Sequence, residues 1–284
     1  MIKSQRVSRA TGTFFYFVFC GIFLVFFLAP LWSTFVGGFS TYEEVMTGRF
    51  RMLPTPFQWN MPRLLEMTRD NPSLVTMIKN SLIITMTAVP SVFFSSLTGF
   101  GLSRFRGYGQ NIIFMVMMST MMLPGIVTTI PTFIMFRSFG WIDTFYPFYV
   151  PMIGGNIGFV FLIRQYMRSI PKDFDEAAEV DGASYFRIYW QIILPMSKPV
   201  LAVTFIQAVI GAWNNFFGPL IYFNKTENYP LALGVNLLRS YEVVRQEWNV
   251  ILFAIFLTTL PMILVFFFFQ KYIVKGVVMS GIKG

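Results

Sequence analysis

The chain has no histidine and a single cysteine, and charged residues make up only 12% of its 284 residues. Without histidine there is no histidine-ligated zinc site, no serine–histidine triad and no histidine proton relay. Cys20 has no second thiol to pair with, so no intrachain disulfide forms and cysteine usage leaves the redox compartment open. No Gly-Lys dipeptide occurs, which removes the phosphate-cradling loop of P-loop ATPases. GxSxG and CxxC are also absent. No catalytic residue and no metal ligand set is expected, and the chain is read as carrying no cofactor and no catalysis of its own.

What is present is apolar. Hydrophobic residues make up 55% and aromatics 19%, and a soluble domain carries about twice this share of charge. The chain reads as an all-α polytopic membrane protein. A helix needs about 20 mostly apolar residues to cross the hydrocarbon. Six stretches meet this: Phe14–Val36, Ser81–Ser103, Ile112–Phe136, Tyr146–Leu162, Val200–Tyr222 and Val250–Phe269, none with an Asp, Glu, Lys or Arg. The first is too long for a signal-peptide core and lacks an A-x-A site after it, so it reads as a retained span. Domains follow: an N-terminal segment 1–13, a transmembrane body 14–270 and a tail 271–284. Within the body, 37–80 is an outer segment and 164–199 an inner loop.

The formal charge of +9 needs no nucleic acid, because the basic residues flank apolar runs. Lys3, Arg6, Arg9, Arg104, Arg106, Arg164, Arg168, Lys172, Arg187, Lys198, Lys271, Lys275 and Lys283 fall on one side, which the positive-inside rule makes cytoplasmic. Both termini are then cytoplasmic. The outer loop at 224–247, with its apolar Leu231, Leu233, Val235, Leu237 and Leu238, reads either as a surface loop or as a contact for a partner or the outer mouth.

The inner loop holds the most distinctive stretch, Glu176-Ala-Ala-Glu-Val-Asp-Gly-Ala183. Asp173 is placed to cap a helix with Glu176 at N3, a capping box. Gly182 suits the left-handed residue that ends it. Ser184 caps a second helix, Tyr185 to Leu194, that Pro195 stops. Two short helices meeting at Gly182 outside the bilayer form a docking device for a protein partner.

Several spans are interrupted, by Pro124-Gly125 and Pro131 in the third and by Pro151 and Gly154-Gly155-Asn156-Ile157-Gly158 in the fourth. Irregular backbone at membrane depth requires protein or a water-filled cavity around it. In the fifth, Gln207, Gly211, Asn214, Asn215 and Gly218 recur on one helical face. Such amides either bond neighbouring helices or face a wet cavity, where with Trp213, Phe216 and Phe217 they suit a carbohydrate. With no membrane charge to couple ions and no ATP loop, energy has to enter through a partner. A secondary transporter and an ATPase-recruiting scaffold remain as alternatives.

Asp175-Glu-Ala-Ala-Glu-Val-Asp-Gly-Ala-Ser184, followed by Ile193-Leu-Pro195 and Lys198-Pro199, resembles the EAA loop of ABC importer permeases. Phe161-Leu-Ile-Arg-Gln165, Ala212-Trp-Asn-Asn-Phe216, Gly101-Leu-Ser-Arg-Phe-Arg-Gly107 and the end Gln270-Lys-Tyr272…Lys275-Gly276…Gly281-Ile-Lys-Gly284 resemble the type I carbohydrate subgroup. The similarity is greatest to the second membrane subunit of the maltose importer. It implies a six-helix permease in a bacterial inner membrane, paired with a homologous permease, two ATP-binding cassette subunits and an extracytoplasmic solute-binding protein. ATP and Mg would reside on the ATPases. Glu176, Ala177, Ala178, Asp181, Gly182 and Ala183 would form the coupling helix, and Gly281 and Lys283 a tail contact. Gln207, Gly211, Asn214, Asn215 and Asn156 would line the solute path.

Overall fold

The computed structural model describes residues 2–48, 52–69, 72–105, 107–241 and 247–281, with the side chains of 2–12, 239–241 and 272–281 excepted. Among the described residues all regular structure is helical. The chain divides into two compact units, one running to Thr68 and joined by Leu237–Leu260, the other Arg69–Asn236 with the chain from Pro261.

In the first unit, α1 (Ile2–Gly38) contains an apolar span, Thr13–Gly38. Helix α2 (Tyr42–Met46) opens with a capping box: the Thr41 hydroxyl accepts from the Glu44 backbone N–H, and the Glu44 carboxylate accepts from the Thr41 N–H. Helix α3 (Met61–Met67) follows. Phe39 is enclosed by the rings of Phe57, Trp59, Phe253 and Phe256, with centroids 4.8–5.9 Å away. Asn60 donates to Gly38 O at 2.7 Å, and Arg63 clamps Glu247 at 2.7 and 2.9 Å. The outer segment is therefore folded rather than a tight turn.

The second unit begins with α4 (Leu74–Thr85) and α5 (Ala88–Arg104), together one span of 31 residues. This span starts before Ser81, because the Ser73 hydroxyl caps it by accepting from Thr76 N–H. Helices α6 (Gln110–Thr120) and α7 (Gly125–Ser138) are bent by 96° at a break before Pro124-Gly125, while Pro131 stays inside α7. Helix α8 (Tyr146–Tyr149) runs through a 3₁₀ turn to Gly154, and α9 (Ile157–Ser169) restarts with Asn156 as its cap. Then come α10 (Asp173–Val180), α11 (Tyr185–Ile188), a π-helical turn at Tyr189–Ile193 and α12 (Leu194–Met196). Helix α13 (Lys198–Trp213) is bent 78° from this assembly. It is followed by α14 (Phe217–Tyr222) and α15 (Leu231–Tyr241), whose end from Leu237 belongs to the first unit; the long α16 (Trp248–Gly281), which contains the final span, belongs to the first unit up to Leu260 and to the second from Pro261.

Among the described residues four helices are long and apolar enough to cross a membrane, and up to six if each bent pair is one span. Lipid tails are as apolar as leucine, so spans associate through close packing and buried polar contacts rather than a hydrophobic drive. Helix α5 does this with Ser91, Ser95 and Gly99, a buried stripe at four-residue spacing. A Cβ on Gly99 would lie 3.2 Å from Arg164 N, so α9 can approach this closely only because the side chain is absent.

Three expectations are corrected. The fifth span is not continuous from Val200 to Tyr222; α13 stops at Trp213. The helix from Tyr185 does not end at Pro195 but passes through a π turn to Met196. Pro195 sits in the first turn of α12, where its missing N–H is tolerated. The loop at 224–247 is not a bare surface loop: it contains α15, with Leu231, Leu233, Val235 and Leu238 buried.

Candidate functional site

Helix α10 carries the acidic stretch, and both of its ends are defined. Asp173 is the first helical residue rather than the cap, and the helix follows Lys172 without a side-chain cap. The expected capping box between Asp173 and Glu176 therefore does not form. In its place Asp173, Asp175 and Glu176 occupy the first turn, where carboxylates complement the helix dipole. At the other end Gly182 has φ +77°. Gly182 N–H donates to Glu179 O at 3.0 Å and Ala183 N–H to Ala178 O at 2.9 Å, the paired bonds of a Schellman termination. Ser184 then caps α11 by accepting from Arg187 N–H at 3.4 Å.

The helix is anchored on one side only. Ala178 is buried in a cluster with Phe100, Ile163, Met167, Ile188, Tyr189 and Ile193, and Ala183 packs against it. Glu176, Ala177, Asp181 and Gly182 are exposed. Val180 is 88% exposed and Phe186 68%, so the outer side presents apolar as well as acidic groups. Two contacts that residue patterning did not reveal tie the element to α5. Arg104 Nε meets Asp175 Oδ2 at 3.2 Å, with both side chains largely buried, and Arg104 also donates to Ile170 O. Burial pushes the Asp175 carboxyl above the usual carboxylate value, with Arg104 opposing. The Tyr189 and Ser96 hydroxyls share a buried hydrogen bond of 2.6 Å.

A second feature is a cavity of about 330 Å³ between α4, α5, α8, α9 and α13–α14. It gathers Asn156, Gln207, Gly211, Asn215 and Gly218 alongside Thr87, Ser91 and Phe148. Asn214 is not among its lining residues and is exposed as the residue closing α13. The helical face expected across 207–218 breaks there because Asn214 closes α13, while Asn215 Oδ1 accepts from Gly218 N–H in the first turn of α14 at 3.1 Å. Asn156 caps α9, accepting from Phe159 N–H at 3.2 Å. Gln207 is exposed and makes no hydrogen bond among the described residues. Lys283 and Arg106 lie outside the described residues, and Gly281 is the last residue of α16.

A bundle with interrupted spans, a polar cavity and a capped helix standing outside it defines the membrane subunit of a transporter. Residues 91–279 match the family of binding-protein-dependent transport system inner membrane components, and the chain belongs to that family. It is 34% identical over 206 residues, 72% of each chain, to the arabinooligosaccharides transport system permease protein AraQ of Bacillus subtilis (strain 168). It is 27% identical to the sn-glycerol-3-phosphate transport system permease protein UgpE of Yersinia pestis bv. Antiqua, covering 93% of this chain and 96% of that one. The fold matches a chain from the crystal structure of a bacterial ABC transporter involved in the import of the acidic polysaccharide alginate, with TM-score 0.82, 24% identity, and 93% and 97% coverage. The family is one of membrane permeases, not ATPases, and its members work with a partner permease, an ATPase and a binding protein.

Proposed function

We propose that the chain is one of two homologous permease subunits of an ATP-driven carbohydrate importer, with α10 as the helix through which ATP hydrolysis drives the spans. The observation that carries this is the construction of α10: its C-terminus is closed by a Schellman motif, Asp175 pairs with Arg104 of α5, and its opposite face is left exposed. A helix so held transmits displacement as a rigid body. One of the two ATP-binding cassette subunits docks on Glu176, Ala177, Asp181 and Gly182, with Ala178 and Ala183 holding the helix to the permease. Closure of the ATPase pair pushes α10. The push reaches α5 through Arg104 and Tyr189, and the cavity lined by Gln207, Gly211, Asn215 and Asn156 opens to the outside. Hydrolysis of MgATP on the partners resets it.

The carbohydrate assignment rests on relatives that are permeases for arabinooligosaccharides and for glycerol 3-phosphate. The uncharged amides of the cavity suit hydroxyl-rich solutes. The positive-inside rule supports a cytoplasmic α10 and cytoplasmic termini, which leaves the other face for an extracytoplasmic binding protein. Vesicles containing the full complex and its binding protein should take up a labelled oligosaccharide only with ATP present. Uptake that persists without ATP and collapses with an ionophore would refute this reading.

A further inference from the structure

A separate cavity of about 310 Å³ opens beside the end of α5, away from the solute path. Its lining includes Arg104, Arg164, Arg168 and Lys172, together with Gln110 and Asn111, and no carboxylate. Asp175, outside the lining, pairs with Arg104 and offsets one of these charges; the remaining cations repel one another unless an anion shares the void. Two of the four are held rigidly. Arg164 is 6% exposed; its Nε donates to Leu102 O at 3.0 Å, and its guanidinium lies 3.8 Å from the Phe114 ring centroid. Those contacts leave its terminal nitrogens for another acceptor. Arg104 has a side chain 3% exposed, and its Nη2 is buried without a hydrogen-bond partner. Arg168 and Lys172 are exposed at the rim.

The cavity also adjoins apolar surface. Immediately after Gln110 and Asn111, Ile112, Ile113, Met115 and Val116 of α6 are 56–62% exposed. Polar and cationic groups at the end of an exposed apolar helix sit at the level of lipid headgroups, and basic pockets between spans recognise phosphate-bearing lipids. Arginine's planar fork matches phosphate oxygens.

We propose that this cavity binds the phosphate of an anionic phospholipid, with Arg104 and Arg164 as the buried ligands and Arg168 and Lys172 as the rim. The lipid would then bridge α5, α6, α9 and the start of α10, so that the coupling element rests partly on the membrane itself. The inference does not depend on which solute is carried.

The test uses the complete complex in nanodiscs of phosphatidylcholine with or without phosphatidylglycerol, read by native mass spectrometry of retained lipid. Wild type should retain phosphatidylglycerol selectively. Arg168→Gln, an exposed change that should leave folding intact, should weaken retention about fivefold, the effect of one cation near an anionic headgroup. Arg164→Gln should abolish it. Equal retention in wild type and Arg168→Gln would overturn the proposal, even if Arg164→Gln fails to assemble. So would a site that takes inorganic phosphate without enriching phosphatidylglycerol.

Discussion

Arg104 at the end of α5 and Asp175 in the first turn of α10 meet at 3.2 Å in a largely buried setting, yet one oxygen and two nitrogens of the pair lack hydrogen bonds. Taking both charges out of water costs as much as their attraction returns, so the pair contributes little net stability. Removing one partner is different, because the survivor is stranded. Arg104→Met alone should destabilise this end of the unit by about 3 kcal/mol, seen as a lower melting temperature of the purified complex. Arg104→Met with Asp175→Leu should recover most of that loss. Equal melting temperatures for the single and double variants would contradict this. The pH sign follows from the upward shift of Asp175. The folded chain holds its proton more tightly than the unfolded one, so stability should fall as pH rises from the unfolded carboxylate value to the folded one. Asp175→Asn should flatten that slope.

Gly182 has φ +77° and no atom within 4 Å of the position a Cβ would take. Gly182→Ala should therefore cost only about 1 kcal/mol of backbone strain and retain much of its transport. Gly182→Asp places a charged side chain on the exposed end of α10. It should leave the protein inserted in the membrane but abolish substrate-stimulated ATP hydrolysis in the reconstituted complex. Wild-type hydrolysis in that variant would remove α10 from the coupling path.

The Tyr189–Ser96 bond tests the route from α10 to α5. Tyr189→Phe should cost about 1 kcal/mol of stability, since Ser96 keeps its bond to Phe93 O. The larger effect should be on the ratio of ATP hydrolysed to solute moved, which should rise. An unchanged ratio would mean the push travels elsewhere.

Asp143, at φ +61°, accepts from the backbone N–H groups of Asn224 and Lys225 at 2.5 and 2.9 Å. Burial works against its ionisation, but these bonds win and hold the carboxyl below its ordinary value. A depressed folded value means that its stabilisation is present above the unfolded carboxylate value and lost as pH falls through the folded one. Asp143→Asn tolerates the left-handed backbone and should remove that acid-side loss, along with about 1 kcal/mol at neutral pH. Melting curves across the acid range check this.

Gln207 and Asn215 line the same cavity but differ in duty. Gln207→Leu should raise KM for the solute several-fold with basal ATP hydrolysis intact, because no helix depends on it. Asn215→Ala removes the hydrogen bond to the Gly218 N–H in the first turn of α14 and should cost about 1 kcal/mol of stability as well.

Reading the chain residue by residue located α10, its Gly182 ending, the Ser184 cap and the breaks at 124–125 and 154–156, because each rests on local chemistry of a few neighbours. The Asp173 cap was misplaced by the same local logic: with Lys172 already turning into the helix, the acidic residues serve the dipole instead of the first N–H groups. Of the amide face of 207–218, Gln207, Gly211, Asn215 and Gly218 share one cavity and Asn214 does not, since an asparagine at a helix end reads like one on a face until the break is seen. Arg104–Asp175 and Tyr189–Ser96 join residues 71 and 93 apart in sequence, and nothing in periodicity pairs them. The small stripe Ser91, Ser95, Gly99 was visible as residues, but its meaning depends on α9 lying against it.

Where the backbone is interrupted before α9, the Ser95 hydroxyl takes the N–H of Asn156 at 2.8 Å and itself donates to Ser91 O at 2.6 Å. A gap whose polar groups are already satisfied by the neighbouring helix has no reason to flex. The interruption is a weld, fastening α5 and α9 into one strut. The 78° corner at Ser197 is built differently: its hydroxyl is buried with no hydrogen-bond partner, although its backbone N–H donates to Ile193 O at 2.9 Å.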